Sequence, residues 1–144
     1  MRSFDLERFV VAQDADGAYA SALAELRAGR KAGHWVWFVF PQVAGLGMSA
    51  TSTRYAISSL DEARAYLAHP VLGPRLVECA GALAGLSGRS ADEILGPVDA
   101  MKLRSSMTLF ARAAPDVAIF GQVLDRYFGG VADERTDALL GRGV

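Results

Sequence analysis

The loop from Gln42 to Ser49 sets Gly45 and Gly47 ahead of a short polar run that ends at Tyr55. Two glycines permit a tight turn, and a helix beginning there would offer unpaired backbone N–H groups to a phosphate or carboxylate. Ser49 fits the N-cap, Ser52 follows three residues on, and Arg54 adds positive charge. Gly45-x-Gly47-x-x-Ala50 even meets a relaxed dinucleotide fingerprint, but the strand–helix–strand unit such a fingerprint needs is missing. No cofactor is assigned on that basis. A glycine turn with an ordinary serine cap accounts for the same residues more simply.

A second set lies between Asp99 and Phe110. On a helix, Asp99, Lys102 and Ser106 fall beside the apolar stripe of Leu103, Met107 and Phe110. Partly buried charges in such a position are where proton affinities shift and sites form. Ser105, Ser106 and Thr108 are poor helix-interior residues unless their hydroxyls are used. The competing account is an Asp99–Lys102 helix pair worth about 0.2–0.5 kcal/mol, with hydroxyls bonded back to the preceding turn. A third set is His34, Trp35, Trp37 and Gln42. An indole can stack on a flat ligand or fill the core, and its N–H needs an acceptor in either place. Histidine titrates near neutrality, which makes His34 the acid–base candidate, although capping an aromatic cluster is the commoner role. No nucleophile triad assembles. Cys79 reads as a small buried hydrophobe, His69 as a helix-terminal residue, and Asp61, Glu62 and Glu78 as solvated helix faces.

These residues have to be positioned by helices, because helical spacing dominates the chain. Tyr19, Ala22, Leu23 and Leu26 give one apolar stripe between Ala15 and Ala28, with Gly29 as the C-cap. Phe120, Val123, Leu124, Tyr127 and Phe128 give another, from an N-cap at Asp116 to a stop at Gly129. Leu60, Ala63 and Leu67 pattern a helix that ends by His69, since Pro70 disfavours helical backbone in the residue before it. Leu76 to Ala84, opened by Pro74, and Leu103 to Ala114, closed before Pro115, pattern two more. Shorter helices are expected at Leu6–Val10, Ala91–Leu95 and Asp133–Leu140. The run Trp35-Val36-Trp37-Phe38-Val39-Phe40 has strand propensity, but no second strand of similar quality exists to pair with it. Consistency favours a buried helix. The expectation is an all-α, single compact domain of about seven to nine short helices, undivided over residues 1–144.

Composition bounds the function. Hydrophobic residues make up 51% of the 144 and charged residues 22%, a globular balance. Fifteen basic and 16 acidic residues leave a net charge of -1, which argues against a nucleic-acid partner and gives no polybasic patch for anionic lipid. One cysteine and two histidines are too few for a common zinc set, so no metal is expected. No apolar run nears the roughly 18 residues of a membrane span. The N-terminal residues, with Asp5, Glu7 and Arg8, do not read as a signal peptide. The expected location is the cytoplasm.

Several blocks are unusual strings: Asp5 to Val10, His34-Trp35 through Phe40-Pro41-Gln42, and Gly45-Leu46-Gly47 with Ser49, Ser52 and Tyr55. To these add Glu62-Ala63, Tyr66-Leu67, His69-Pro70, Leu72-Gly73, Arg75-Leu76 and Lys102 through Phe110. Together they resemble a family of small bacterial and fungal proteins of unknown function, often labelled "calpastatin". The resemblance implies an all-helical single domain, supports the helical reading of the aromatic run and brings no activity. The label itself fits poorly: calpastatin is a disordered, polar, repetitive inhibitor, and this chain is apolar and periodic.

The expected site lies where the Gly45–Ser49 loop, the His34–Gln42 segment and the Asp99–Ser106 edge converge. It would take a small anionic molecule, nucleotide-like or ADP-ribose-like, with a ring against tryptophan. Whether it binds or also transforms that molecule is left open. The alternative is a protein–protein interaction module without catalytic activity, whose partner is unknown and whose mark would be an exposed apolar patch larger than a few hundred Å².

Overall fold

The computed structural model describes residues 4–47 and 49–141; Met48, inside the glycine loop, lies outside the described residues. The first helices are α1 (Glu7–Asp14) and α2 (Ala18–Ala28), separated by a 3-10 turn at Ala15–Gly17. That turn falls where a continuous helix from Ala15 was expected. Asp16 and Gly17 take positive φ, 51° and 68°, which interrupts the helical hydrogen-bond ladder. Gly29 ends α2 at φ 71°, and its N–H returns to the carbonyls of Glu25 and Leu26.

The aromatic run forms a single turn, α3 (Val36–Val39), with Trp35 as its N-cap residue. After the glycine loop comes α4 (Ala50–Arg54), capped by Ser49. Next are α5 (Leu60–Ala68) and α6 (Leu72–Ala84). Ser59 caps α5 by accepting the Glu62 N–H at 3.1 Å, and α5 stops at His69, where ψ swings to 133° ahead of Pro70. His69 then caps α6: its Nδ1 accepts from the N–H groups of Val71 and Leu72.

A Ser90–Glu93 capping box starts α7 (Ala91–Leu95). Then follow α8 (Pro97–Ala113), with Pro97 at its first position, α9 (Ala118–Phe128) and α10 (Glu134–Gly141). The N-cap of α9 is Val117 and not Asp116, and no side chain caps it. Gly129 closes that helix at φ 61°.

The longest helix, α8, packs against α5, α7, α9 and α10 and touches α3. A line of rings crosses the core: Phe9 to Tyr66 at 5.1 Å, Tyr66 to Phe110 at 5.4 Å, and Phe110 to Phe120 at 5.8 Å between centroids. Those contacts join α1, α5, α8 and α9, and all four rings are fully buried. The class is therefore all-α. Among the described residues the β-type contact is one isolated parallel bridge, Val43 to Ile57, and no helix is long and apolar enough to cross a membrane.

Candidate functional site

Trp35 and Trp37 sit two residues apart on one helical turn, so their rings point roughly 200° apart. Trp35 is buried, and its indole N–H donates to Glu25 Oε1 at 2.9 Å. The same oxygen accepts the N–H groups of Ala32 and Gly33 at 2.7 and 2.9 Å. Burial pushes the Glu25 carboxyl up, but these donors and nearby Lys31 prevail and hold it below the ordinary glutamate value. Trp35 is thus a core residue with a satisfied N–H.

Trp37 is half-buried and walls a hollow of about 260 Å³ together with Gln42, Gly45, Gly47, Ser52 and Tyr55. The rim at Tyr55–Ser58 is held from both sides. Ile57 bonds both neighbours of Val43 across the bridge: its carbonyl accepts from Ala44 N and its N–H donates to Gln42 O, each 2.8 Å. From α1, Arg8 donates to the carbonyls of Arg54 and Ala56 at 2.8 Å and to Glu62 Oε2 at 3.1 Å. Glu62 in turn accepts the Ser58 N–H at 2.7 Å. The expectation that Glu62 lies on a solvated face is corrected here, because its carboxylate completes a buried clamp.

A second hollow, about 190 Å³, shares Gln42, Gly47 and Ser52 with the first and adds Lys102, Ser105 and Arg135. The two are lobes of one cleft. Where they meet, a Cβ on Gly47 would stand 2.4 Å from the Ser52 Cβ, so only glycine lets the loop close onto α4. A hollow of about 320 Å³ lies behind Val43, Ala44 and Ser58, lined also by Asp61 and Arg64; it holds none of the anticipated site residues.

Charge enters the cleft from α8. The Lys102 ammonium stands 4.1 Å from the Trp37 ring centroid and 3.3 Å from Asp99 Oδ1. Lys31 takes the other oxygen of Asp99 at 2.7 Å. Two lysines therefore share one carboxylate, with side chains only 8% (Lys31) and 18% (Lys102) exposed.

The hydroxyl-rich stretch of α8 docks α10. Ser105 Oγ lies 2.9 Å from Thr136 Oγ1, which donates to Asp133 Oδ2 at 2.6 Å. Thr108 Oγ1 donates to the Arg104 carbonyl at 2.8 Å, as the plain structural account expected, and also accepts the Asp133 N–H at 2.9 Å. Ser106 is fully buried, lines neither lobe, and its Oγ has no partner among the described residues.

The structure brings together Trp37, Gln42, Gly45, Gly47, Ser52, Tyr55, Lys102 and Ser105. Asp99 backs the cleft through Lys102. His34 is exposed and lines neither lobe, and Trp35 is turned into the core. Ser49 lines neither lobe: its Oγ accepts the Ser52 N–H at 3.0 Å and donates to Ser52 Oγ at 2.9 Å. The start of α4, where an anion was expected, already holds the protein's own cap. Sequence reasoning missed Arg8, Lys31, Asp133 and Arg135. One signal was available: Arg8 and Glu62 both fall in blocks that carried the family resemblance.

Residues 3–140 match the family described as protein of unknown function, DUF1810. No functionally curated protein matches the chain. The fold is similar to the crystal structure, at 1.38 Å, of the conserved hypothetical protein Rv1873 from Mycobacterium tuberculosis. The two are 58% identical over 96% of this chain and 97% of that one, with a TM-score of 0.93. With motifs spread from Asp5 to Phe110 and a family match over nearly its whole length, the chain belongs to the DUF1810 family.

Proposed function

We propose that the two-lobed cleft binds a small anionic molecule, of the nucleotide-like or ADP-ribose-like class, with Lys102 as its principal anion contact. The observation that carries this reading is the placement of the Lys102 ammonium over the Trp37 ring, 4.1 Å from its centroid, at the edge of a lobe that Lys102 itself lines. A cation partly withdrawn from water at a cleft wall favours an anionic ligand. Arg135 brings a second cation to the same lobe, and the lobe's own carboxylate, Asp133, is engaged by Thr136. Ser105 is tied to Thr136 and has no base aligned on it, so the geometry supports binding and assigns no catalytic role.

The test is calorimetric titration with inorganic phosphate, pyrophosphate, AMP and ADP-ribose, alongside thermal denaturation in their presence. A charge-assisted hydrogen bond contributes about 1.5–3 kcal/mol, so Lys102→Met should weaken binding about 10- to 150-fold. A flat response to every anion would reject the reading.

A second reading, an interaction module, draws on Val98 and Met101. They are 67% and 71% exposed, one turn apart on α8, at the edge of the second lobe. It calls for a protein partner that Val98→Ser with Met101→Ser releases, and for no stabilisation of the protein by small anions.

A further inference from the structure

The indole N–H of Trp37 is buried and has no acceptor among the described residues. Buried donors are almost always paired, and an orphan calls for an explanation. The other tryptophan shows the usual outcome, with its N–H taken up by Glu25. Trp37 differs in two respects: it borders a hollow, and one face of its ring is covered by the Lys102 ammonium. The ring is therefore anchored while its donor is left without a partner.

We infer that Trp37 is the specificity-determining residue of the cleft. Its N–H donates to an acceptor on the uncharged part of the ligand, so that the cleft selects an anionic group joined to a flat, acceptor-bearing ring over a bare anion. The inference rests on the reading of Lys102 as the anion contact. Three features support the division of labour. The first lobe, at about 260 Å³, lies just below the roughly 300–1,000 Å³ of pockets for whole ligands, and so suits a fragment. Its walls are aromatic and polar, Trp37 and Tyr55 with Gln42 and Ser52, and it carries no charged side chain. The cationic lobe adjoins it, with Gln42, Gly47 and Ser52 lining both.

The test uses the full chain and four probes: inorganic phosphate, ribose 5-phosphate, AMP and UMP. Wild type is expected to bind the two nucleotides at least tenfold tighter than the two ring-free phosphates. Trp37→Phe keeps an aromatic face for Lys102 but lacks the donor. It should lose that tenfold preference and bind the nucleotides no tighter than the ring-free phosphates. A second measurement avoids the variant altogether. The chain has two tryptophans, hence two indole N–H cross-peaks in an ¹⁵N correlation spectrum, and Trp35→Phe tells them apart. The Trp37 peak should shift with AMP and UMP and stay in place with phosphate. Lys102-dependent binding with equal affinities for phosphate and nucleotide, or a Trp37 peak indifferent to nucleotide, overturns this inference alone. Absence of all anion binding overturns the Lys102 reading and this inference with it.

Discussion

The clamp that holds the cleft wall can be tested quantitatively through Arg8→Met. In the native protein the guanidinium satisfies the Arg54 and Ala56 carbonyls and Glu62, and it also reaches the Asp5 carbonyl. Truncation strands the Glu62 carboxylate, 4% exposed, with the Ser58 N–H as its one remaining partner. Breaking a buried pair from one side costs about 3–5 kcal/mol, whereas an exposed pair is worth about 0–1. Arg8 itself is 14% exposed, so water partly reaches the site and the lower end, about 3 kcal/mol, is expected. For a domain of this size that corresponds to a fall in midpoint of about 10 °C. Glu62→Leu leaves the guanidinium on three carbonyls and should cost about 2–3 kcal/mol. The double variant, Arg8→Met with Glu62→Leu, buries apolar groups in place of the pair. It should be less destabilised than the sum of the singles by at least about 2 kcal/mol. Urea denaturation followed by circular dichroism on all four proteins gives that coupling directly. Additive costs, or an Arg8→Met loss under about 1 kcal/mol, would refute the claim that this pair acts as a buried unit. In the variant, amide exchange at Ala44 and Ile57 should also rise, because these are the donors of the Val43–Ile57 bridge, which adjoins the segment Arg8 restrains.

The remaining predictions test the core and its ionisable groups. Within α6, a Cβ on Gly73 would sit 2.1 Å from the Leu67 carbonyl oxygen, while one on Gly81 meets nothing within 4 Å. Gly73→Ala should therefore cost about 3 kcal/mol or more in denaturation, and Gly81→Ala should stabilise by about 0.5–1. Equal effects would contradict the packing of α6 against α5. The Glu25 carboxyl is held below its ordinary value of 4.5, so its contribution to stability is full above that value and is lost as pH falls below it. Glu25→Gln should lower the thermal midpoint at neutral pH and flatten its decline in acid; an unchanged acid limb would be the contrary result. Burial pushes the Cys79 thiol up to about 12, against the lowering contact from Tyr19. A maleimide or disulfide reagent at mildly alkaline pH should leave Cys79 untouched until the protein unfolds, and rapid native labelling would count against its placement.

What was legible in the sequence is what local rules decide. Gly29 and Gly129 stop their helices at positive φ, Ser49 starts α4, and Pro70 and Pro115 bound others. Each of these effects acts over a few residues and so is written in a few residues. The break inside the expected first long helix was missed because the apolar stripe runs from Tyr19 onward and says nothing about Ala15–Gly17; the Asp16-Gly17 pair, a turn signal, was the better guide. The aromatic run shows the reverse limit. Strand propensity describes a side chain suited to a pleated, half-buried surface, but a strand needs a partner. Here the nearby backbone pairing is Val43 with Ile57, beyond the run, and the aromatics coil into one turn.

The candidate residues come together only in part, for reasons that also act through geometry. Periodicity identifies an apolar face, but it cannot say which charged residue on its margin meets a partner many positions away. Glu62 thus looked solvated until Arg8 reached it. Helical phase could have separated the two tryptophans, since residues two apart on one turn cannot face the same ligand. The same reasoning divides Ser105 from Ser106, neighbours about 100° apart: one finds Thr136 and the other finds nothing. The glycine loop is a weaker candidate for the anion for a related reason. Its expected attraction was the unpaired N–H groups of a helix start, yet the residue that made the start recognisable, Ser49, takes up the Ser52 N–H itself. A strong capping signal is then partial evidence against an anion at the same place, because the cap and the ligand compete for the same donors. Lys102, over the Trp37 ring and in the same lobe as Arg135, offers charge-assisted donors that no helix cap competes for, and for that reason the proposed anion contact is placed on α8.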